Sequence, residues 1–151
     1  MDEVRMLGKL WCILSFAIIL SSAGNFYDCG SKVGNYSSVT ITNCGTAPIC
    51  ILKRNSNVTI QFDFTPFENT NTVSAVVHGI KMGIPVPFHF PDEAACNRTL
   101  KCPLFKGKTY SYQATFPIKK KYPAIRLDVK WELKNDDQRD IACILIPAKI
   151  M

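Results

Sequence analysis

The sequence has few of the residues, and none of the short motifs, on which enzyme active sites are usually built. It contains two histidines, His78 and His89, and it has no GxSxG, no HExxH and no glycine-rich phosphate loop. The most obvious pair of carboxylates, Asp136 and Asp137, lies in a predicted turn. Hydrolysis would need a nucleophile, a base and an orienting acid, and no such set stands out. We therefore predict that the chain is not an enzyme and has no cofactor.

Long hydrophobic runs are also scarce. The longest covers residues 10–20, LWCILSFAIIL, and is too short to span a bilayer. Arg5 and Lys9 precede it, and small residues follow, so cleavage after Ala23 or Gly24 fits the pattern of a secretory signal peptide. A buried core helix or an uncleaved membrane anchor is the alternative interpretation.

The cysteine count is odd for the whole chain and even for the predicted mature domain, residues 25–151. Cys12 belongs to the predicted signal peptide, residues 1–24. The six cysteines that remain are Cys29, Cys44, Cys50, Cys96, Cys102 and Cys143. An even number in an exported chain predicts three disulfides, although sequence alone does not select their pairing.

Spacing gives a hint about the pairing. Cys44 and Cys50 could close one small loop and Cys96 and Cys102 another, which would leave Cys29 and the last cysteine to join the ends of the domain. The rival interpretation is a metal site. Because no pair has CxxC spacing and histidines are few, we predict no metal.

The chain carries a formal net charge of +6. The only basic run, Lys119–Lys121, resembles a solvated loop more than a nucleic-acid patch, so we predict no nucleic-acid partner. The charge is compatible with attraction to anionic membranes or with ordinary solubility.

Apolar and polar residues alternate with a period of two through most of the domain, which predicts β-strands rather than helices. The clearest runs are residues 39–41, 58–64, 73–77, 110–116, 125–133 and 141–146. Turn residues separate them, as at Asn135–Gln138. We predict an all-β fold of two antiparallel sheets packed face to face, with a closed barrel as the alternative.

The segment from Gly79 to Pro91 breaks this pattern. Its prolines cannot donate to a central ladder, so the segment should run extended along a sheet edge or over the mouth of the sandwich. Ile84, Val86 and Phe88 are large and apolar, and they need a partner: the core, a ligand or a membrane.

Four groups of residues together resemble the Niemann-Pick type C2 family, within the lipid-recognition (ML) domain superfamily. The first two are Asp28-Cys29-Gly30-Ser31, and Ala75–Ile80 continued by Met82–Phe88. The others are Cys102-Pro103 with Gly107–Tyr112, and Tyr122-Pro123 with Trp131–Leu133, Cys143 and Ile146-Pro147. The match covers nearly all of the predicted mature domain, in order.

The resemblance implies an immunoglobulin-like β-sandwich with an apolar ligand cavity between its sheets. It implies the bridges Cys29–Cys143, Cys44–Cys50 and Cys96–Cys102. It places the mouth of a sterol tunnel at Phe88, Pro117, Ile118 and Tyr122. It places the tunnel walls at Ile41, Leu52, Val77, Val86, Phe116, Ile125, Leu127 and Trp131. We hypothesise that Phe88 and Tyr122 gate the entrance.

Two positions depart from the sterol carriers of the family. Lys81 replaces an apolar residue in a knob that meets membranes, and Ile144 stands where tryptophan is frequent. From the resemblance as a whole we predict a secreted monomer that binds and transfers a sterol, with transient contact to anionic membranes or to a lipid-acceptor protein. The endolysosomal lumen is a second compartment to consider. The alternative function is an extracellular carrier of fatty acids or semiochemicals, or a co-receptor that presents lipid.

Three N-x-S/T sequons begin at Asn35, Asn57 and Asn97. In an exported eukaryotic chain they predict N-glycosylation.

Overall fold

The structure is a computed structural model that describes residues 26–42, 44, 48–88, 90–96 and 98–151. The predicted signal peptide with Cys12, its cleavage site, and the positions His89 and Asn97 lie outside the described residues. Within them, nine strands follow one another along the chain. They are β1 (Tyr27–Asp28), β2 (Gly34–Ile41), β3 (Cys50–Leu52), β4 (Ser56–Pro66), β5 (Ser74–Lys81), β6 (Ile84–Pro87), β7 (Tyr110–Ile118), β8 (Arg126–Lys134) and β9 (Asp140–Ile150).

The strands form two sheets. The larger has the order β1-β9-β8-β5-β6, with β3 also paired to β9, and the smaller has the order β2-β4-β7. All pairs are antiparallel except β3 with β9. The predicted all-β sandwich of two sheets is therefore confirmed. Among the described residues no helix is long and apolar enough to cross a membrane.

The alternating sequence explains which face of each strand is buried. In β4, Val58, Ile60, Phe62 and Phe64 are buried while the residues between them are exposed or half-buried. Period-two alternation sends successive side chains to opposite faces, so one face of β4 meets the interior and the other meets solvent. β9 runs to Ile150, beyond the predicted end at residue 146.

Three disulfides and one tight hairpin connect strands and loops of the sandwich. The bridges are Cys29–Cys143, Cys44–Cys50 and Cys96–Cys102, the pairing that the resemblance implied. Between β8 and β9 the Asn135 side chain accepts hydrogen bonds from the backbone of Asp137 and Arg139, as expected for a turn residue.

The proline-rich segment forms β6, at the edge of the larger sheet, as the prolines require. A turn with positive φ at Met82 and Gly83 reverses the chain between β5 and β6. The backbone N–H of Phe88 then donates to the carbonyl of Val77 at 3.1 Å. Phe88 is thereby fixed beside the inner face of β5.

Candidate functional site

A cavity of about 50 Å³ lies between the two sheets. Every strand from β2 to β5 and from β7 to β9 contributes to its wall, and so do two residues of the connecting segments. The lining residues are Ile41, Cys50, Leu52, Val58, Ile60, Val77, Phe88, Phe116, Ile118, Tyr122, Leu127, Val129, Trp131, Ile146, Ala148 and Ile150. None of them is charged, so the wall suits an apolar group.

Most of the residues predicted to contact a ligand lie in this wall. They are Ile41, Leu52, Val77, Phe88, Phe116, Ile118, Tyr122, Leu127 and Trp131. Val86 and Ile125 lie instead in an open groove outside the cavity. Val86 is there because β6 is an edge strand, and its side chain is 50% exposed. Pro117 on β7 pairs with Asn57 on β4 and is absent from the linings of both the cavity and the groove.

Seven lining residues were not predicted. They are Cys50, Val58, Ile60, Val129, Ile146, Ala148 and Ile150. The alternation in β4 and β8 already put Val58, Ile60 and Val129 on the inward face. The C-terminal part of β9 shows the same alternation, since Pro147 and Lys149 separate the three inward residues. The signal was present, but alternation identifies an inward face without indicating whether that face meets a solid core or a cavity.

Four residues separate the cavity from the outer groove, which encloses about 440 Å³. Phe88, Tyr122, Leu127 and Ile150 line both spaces. The Phe88 ring makes edge contacts with Phe116 at 5.9 Å and with Tyr122 at 5.4 Å between centroids. These aromatic rings therefore stand at the boundary between the interior and solvent.

The Tyr122 loop is held by backbone contacts. Its N–H donates to the carbonyl of Lys119 at 3.1 Å, and its own carbonyl lies 3.5 Å from Nη1 of Arg54. Partial burial raises the pKa of the Tyr122 hydroxyl above its ordinary value. The ring is thus neutral across the physiological pH range.

Aromatic rings close the inner end of the cavity. Trp131 contacts Phe90 at 5.1 Å and Phe116 at 6.4 Å between centroids. Behind it lies Tyr112, at 6.3 Å. The Tyr112 hydroxyl and the Trp131 indole nitrogen are both buried without a hydrogen-bond partner in the described part of the chain. Burial strongly raises the pKa of Tyr112, although the nearby indole N–H partly opposes this.

The rim of the outer groove combines cations with exposed apolar side chains. Lys81, Lys119 and Lys121 line the groove. The Nζ of Lys81 donates to the carbonyl of Arg126 at 2.9 Å. At the turn next to this rim, Met82 is 89% exposed and Ile84 is 66% exposed. A mixed apolar and basic tip therefore stands beside the opening.

The outer face of the larger sheet carries the main charged cluster. Glu132 is 6% exposed, its Oε2 lies 3.0 Å from Nζ of Lys134, and the same Nζ lies 3.0 Å from Asp140. His78 approaches Glu132 at 3.9 Å. Glu132, Asp140 and Cys143 lie close enough together to hold a metal ion. However, the sulfur of Cys143 is in a disulfide and both carboxylates bind Lys134, so the cluster does not fit a cation.

Two of the predicted glycosylation sites lie among the described residues. Asn35 on β2 and Asn57 on β4 are both exposed, and both belong to the smaller sheet.

Three comparisons with known proteins give concordant results. The family model for the ML domain matches residues 23–150. The chain is 44% identical over 135 residues to "NPC intracellular cholesterol transporter 2 homolog a" of Drosophila melanogaster, covering 88% of this chain and 91% of the relative. It is 40% identical over 134 residues to "NPC intracellular cholesterol transporter 2" of Bos taurus, covering 89% of each. The crystal structure of a Niemann-Pick type C2 protein from the Japanese carpenter ant superposes with a TM-score of 0.80 at 35% identity, covering 83% of this chain and 98% of that one.

Proposed function

The chain belongs to the ML-domain family, and on that premise we propose that it binds a sterol between its two sheets and transfers it between donors and acceptors. The observation that carries this function is the cavity itself, whose lining residues are all uncharged and mostly aliphatic or aromatic. Two relatives that each share more than a third of the aligned residues with this chain are named as cholesterol transporters.

Burial of apolar surface supplies the binding free energy. Moving apolar area out of water contributes about 25 cal/mol per Å². A wall without charged residues offers no partner to a charged headgroup, so it favours a neutral ligand or the apolar part of an amphipathic one. Such binding requires no reaction, and we expect no catalytic activity.

The cavity must enlarge when a lipid binds. Its volume is about 50 Å³, whereas pockets for molecules of drug-like size usually enclose about 300–1,000 Å³. Rotation of Phe88, Phe116 and Tyr122 would join the cavity to the outer groove, which encloses about 440 Å³. These three rings therefore have to move whenever a lipid enters or leaves the cavity.

Phe88 and Tyr122 gate this opening. The proposal is supported by their place on the boundary between the two spaces and by their mutual edge contact. Replacing Phe88 with alanine should speed both uptake and release of dehydroergosterol, a fluorescent sterol. Phe105→Ala is the matched control, because Phe105 is an exposed phenylalanine outside both spaces. Equal exchange rates in Phe88→Ala and in the unmodified chain would contradict a gate.

The tip beside the opening docks on anionic bilayers. Met82 and Ile84 offer apolar contact, and Lys81, Lys119 and Lys121 at the rim of the groove offer positive charge. Salt at 0.1 M weakens the interaction between exposed charges that lie more than about 10 Å apart. Sterol transfer between anionic vesicles should therefore slow as salt is raised. Transfer between neutral vesicles is the control. Transfer rates that are independent of ionic strength with both vesicle types would contradict electrostatic docking.

The chain is secreted as a monomer and carries glycans at Asn35 and Asn57. Support comes from the apolar run of residues 10–20 and from the exposure of both asparagines. We expect cultured animal cells to secrete the protein into the medium. We also expect enzymatic deglycosylation to lower its mass, and the substitutions Asn35→Gln and Asn57→Gln to remove this mass loss in steps. Retention inside the cells, or an unchanged mass, would contradict these assignments.

The narrow cavity also favours a second candidate, a single-chain fatty acid, because a flexible chain needs less opening than a rigid ring system. Native mass spectrometry of the purified protein separates the two. A co-purified sterol supports sterol transport, whereas a fatty acid supports an extracellular fatty-acid carrier. A protein that stays free of lipid after incubation with either would contradict both.

A further inference from the structure

Gly79 lies where the strand pattern calls for a side chain. β5 turns Ala75 and Val77 toward the interior, and Gly79 is the next inward position and is also buried. It pairs with Val129 of β8 on one side and with Val86 of β6 on the other. Its φ lies outside the left-handed region, so the backbone there is open to any residue. The glycine therefore serves to leave space.

The ring of Phe88 occupies that space. A Cβ atom added to Gly79 would lie 2.4 Å from Cε2 and 3.1 Å from Cζ of Phe88, and 2.9 Å from Cδ1 of Leu127. The nearest of these distances is well inside van der Waals contact. The atoms that such a Cβ would meet belong to side chains and not to the backbone, so the ring, and not the sheet, would have to move.

The surroundings of Phe88 restrict how its ring can move. The backbone N–H of Phe88 is bound to the carbonyl of Val77, which holds the main chain in place. The ring also makes edge contacts with Phe116 and Tyr122. With its main chain held and two aromatic rings in contact with it, the Phe88 ring has little room to shift, and rotation out of the closed position would relieve a clash with position 79.

We infer that Gly79 is the positioning residue of the entrance: the recess left by its missing side chain seats the Phe88 ring in the closed position and thereby sets the rate of lipid exchange. The inference rests on the proposed function, since it gives that function its closing device. It also adds a role for a residue that lines the outer groove and lies outside the wall of the inner cavity.

The test is stopped-flow exchange of dehydroergosterol with the Gly79→Ala variant. Displacing a side chain from its preferred rotamer raises its free energy by an amount that corresponds to a rate change of roughly 3- to 10-fold. Uptake and release of the sterol should therefore both accelerate by that factor. Because the ring obstructs both directions equally, the equilibrium Kd should stay within about twofold. A residue that merely shaped the binding wall would change Kd instead.

Gly34→Ala is the control for a structural effect. A Cβ at Gly34 would lie 2.6 Å from Cγ2 of Ile141, and also 2.7 Å from the carbonyl oxygen of Ile141 and 2.9 Å from that of Thr65, so two of the three atoms that it meets belong to the main chain. This variant should lose stability to urea while its folded fraction exchanges sterol at the rate of the unmodified chain. If it accelerates exchange as much as Gly79→Ala does, the effect is general loosening and the inference is overturned.

The double variant Gly79→Ala/Phe88→Ala tests whether the effect of Gly79→Ala acts through the Phe88 ring. Without the ring the recess has nothing to seat, so the double variant should exchange sterol at the rate of Phe88→Ala alone. Multiplied effects of the two substitutions would overturn the inference. If Gly79→Ala alone does not fold, recovery of folding in the double variant supports the recess, and failure of the double variant to fold contradicts it.

The outcomes separate the inference from the function on which it rests. If Phe88→Ala accelerates exchange and Gly79→Ala does not, the gate stands and the role of Gly79 is wrong. If the unmodified chain shows no saturable binding of dehydroergosterol, the sterol function itself is overturned, and the role of Gly79 with it.

Discussion

The space between the two sheets is filled at one end of the sandwich and open at the other. At the filled end, Phe62 on β4 contacts Tyr36 at 6.2 Å and Tyr112 at 5.1 Å between ring centroids, and Phe64 contacts Tyr110 at 5.9 Å. At the open end, β4 presents Val58 and Ile60 to the cavity. Trp131 lies between the two ends, since it contacts Tyr112 on one side and Phe116 on the other.

The difference between the two ends shows that the same alternation of apolar and polar residues can form either a filled core or the wall of a cavity. Along β4 the alternation does not change between the ends, and Val58, Ile60, Phe62 and Phe64 are all buried. What changes is the size of the inward side chains: at the filled end neighbouring strands of the smaller sheet bring aromatic rings together. At the open end aliphatic groups such as Val58 and Ile60 of that sheet, and Ala148 of the larger one, face a void. Because interiors are otherwise close-packed, a maintained void indicates a binding role.

The largest expected effect concerns the disulfides at the two ends. Cys29–Cys143 closes a loop with a sequence separation of 114, and Cys44–Cys50 one of 6, with Cys50 in the cavity wall. In the chain-entropy model, replacing the first pair with serine should lower the free energy of unfolding by about 4–5 kcal/mol and replacing the second pair by about 2 kcal/mol.

Urea unfolding under two-state conditions measures both losses. The short bridge should matter more for sterol affinity than its stability effect suggests, because it supports the wall. A larger stability loss from the Cys44–Cys50 pair would contradict this ranking.

The next effect compares two isoleucines on the inner face of β9. Ile144 is 0% exposed and lies outside the cavity wall, whereas Ile146 is 4% exposed and lines the cavity. Truncation of Ile144 to alanine opens a new void and should cost about 3–5 kcal/mol. Ile146 already faces a void and forfeits fewer contacts, so its truncation should cost about 2 kcal/mol but change sterol affinity. Equal costs, or an affinity change in Ile144→Ala only, would show that the two ends do not differ.

A smaller effect involves the ion cluster on the outer face. Burial alone would raise the pKa of Glu132, but hydrogen bonds with Asp140 and Lys134 and the charges of Lys134 and Lys130 outweigh it and lower that pKa below its ordinary 4.5. Asp140 shifts the other way: burial and its contact with Glu132 raise its pKa above 3.8. A lowered pKa stabilises the fold above the unfolded-state value, and that contribution is lost as the pH falls through the folded-state pKa.

Glu132→Gln should therefore cost about 1.5–3 kcal/mol at pH 7. The cost should stay nearly constant down to a pH of about 4.5, the ordinary pKa of Glu132, and shrink below it. Urea unfolding of both chains across this range checks the prediction, and sterol affinity at pH 7 should not change because the cluster lies outside the cavity. A cost that grows as the pH falls would have the wrong sign for a lowered pKa.

The strands could be predicted from the sequence because each depends on neighbours along the chain. The run at residues 125–133 became β8, the turn at Asn135 joins β8 to β9, and the prolines placed β6 at an edge. The emptiness of the cavity could not be predicted, because it depends on the distance between sheets. The position of the Lys81 amine could not be predicted either, because the amine is bound to a backbone carbonyl of another strand.

The most direct test of a sterol site at the open end uses Trp131, which lines the cavity. The chain has two tryptophans, and because Trp11 lies in the predicted signal peptide, the secreted domain keeps Trp131 alone. Titration with dehydroergosterol should quench Trp131 emission with saturation at one sterol per chain, as energy passes to the sterol beside it. Binding that leaves Trp131 emission unchanged, or no saturable binding at all, would contradict a sterol between the sheets.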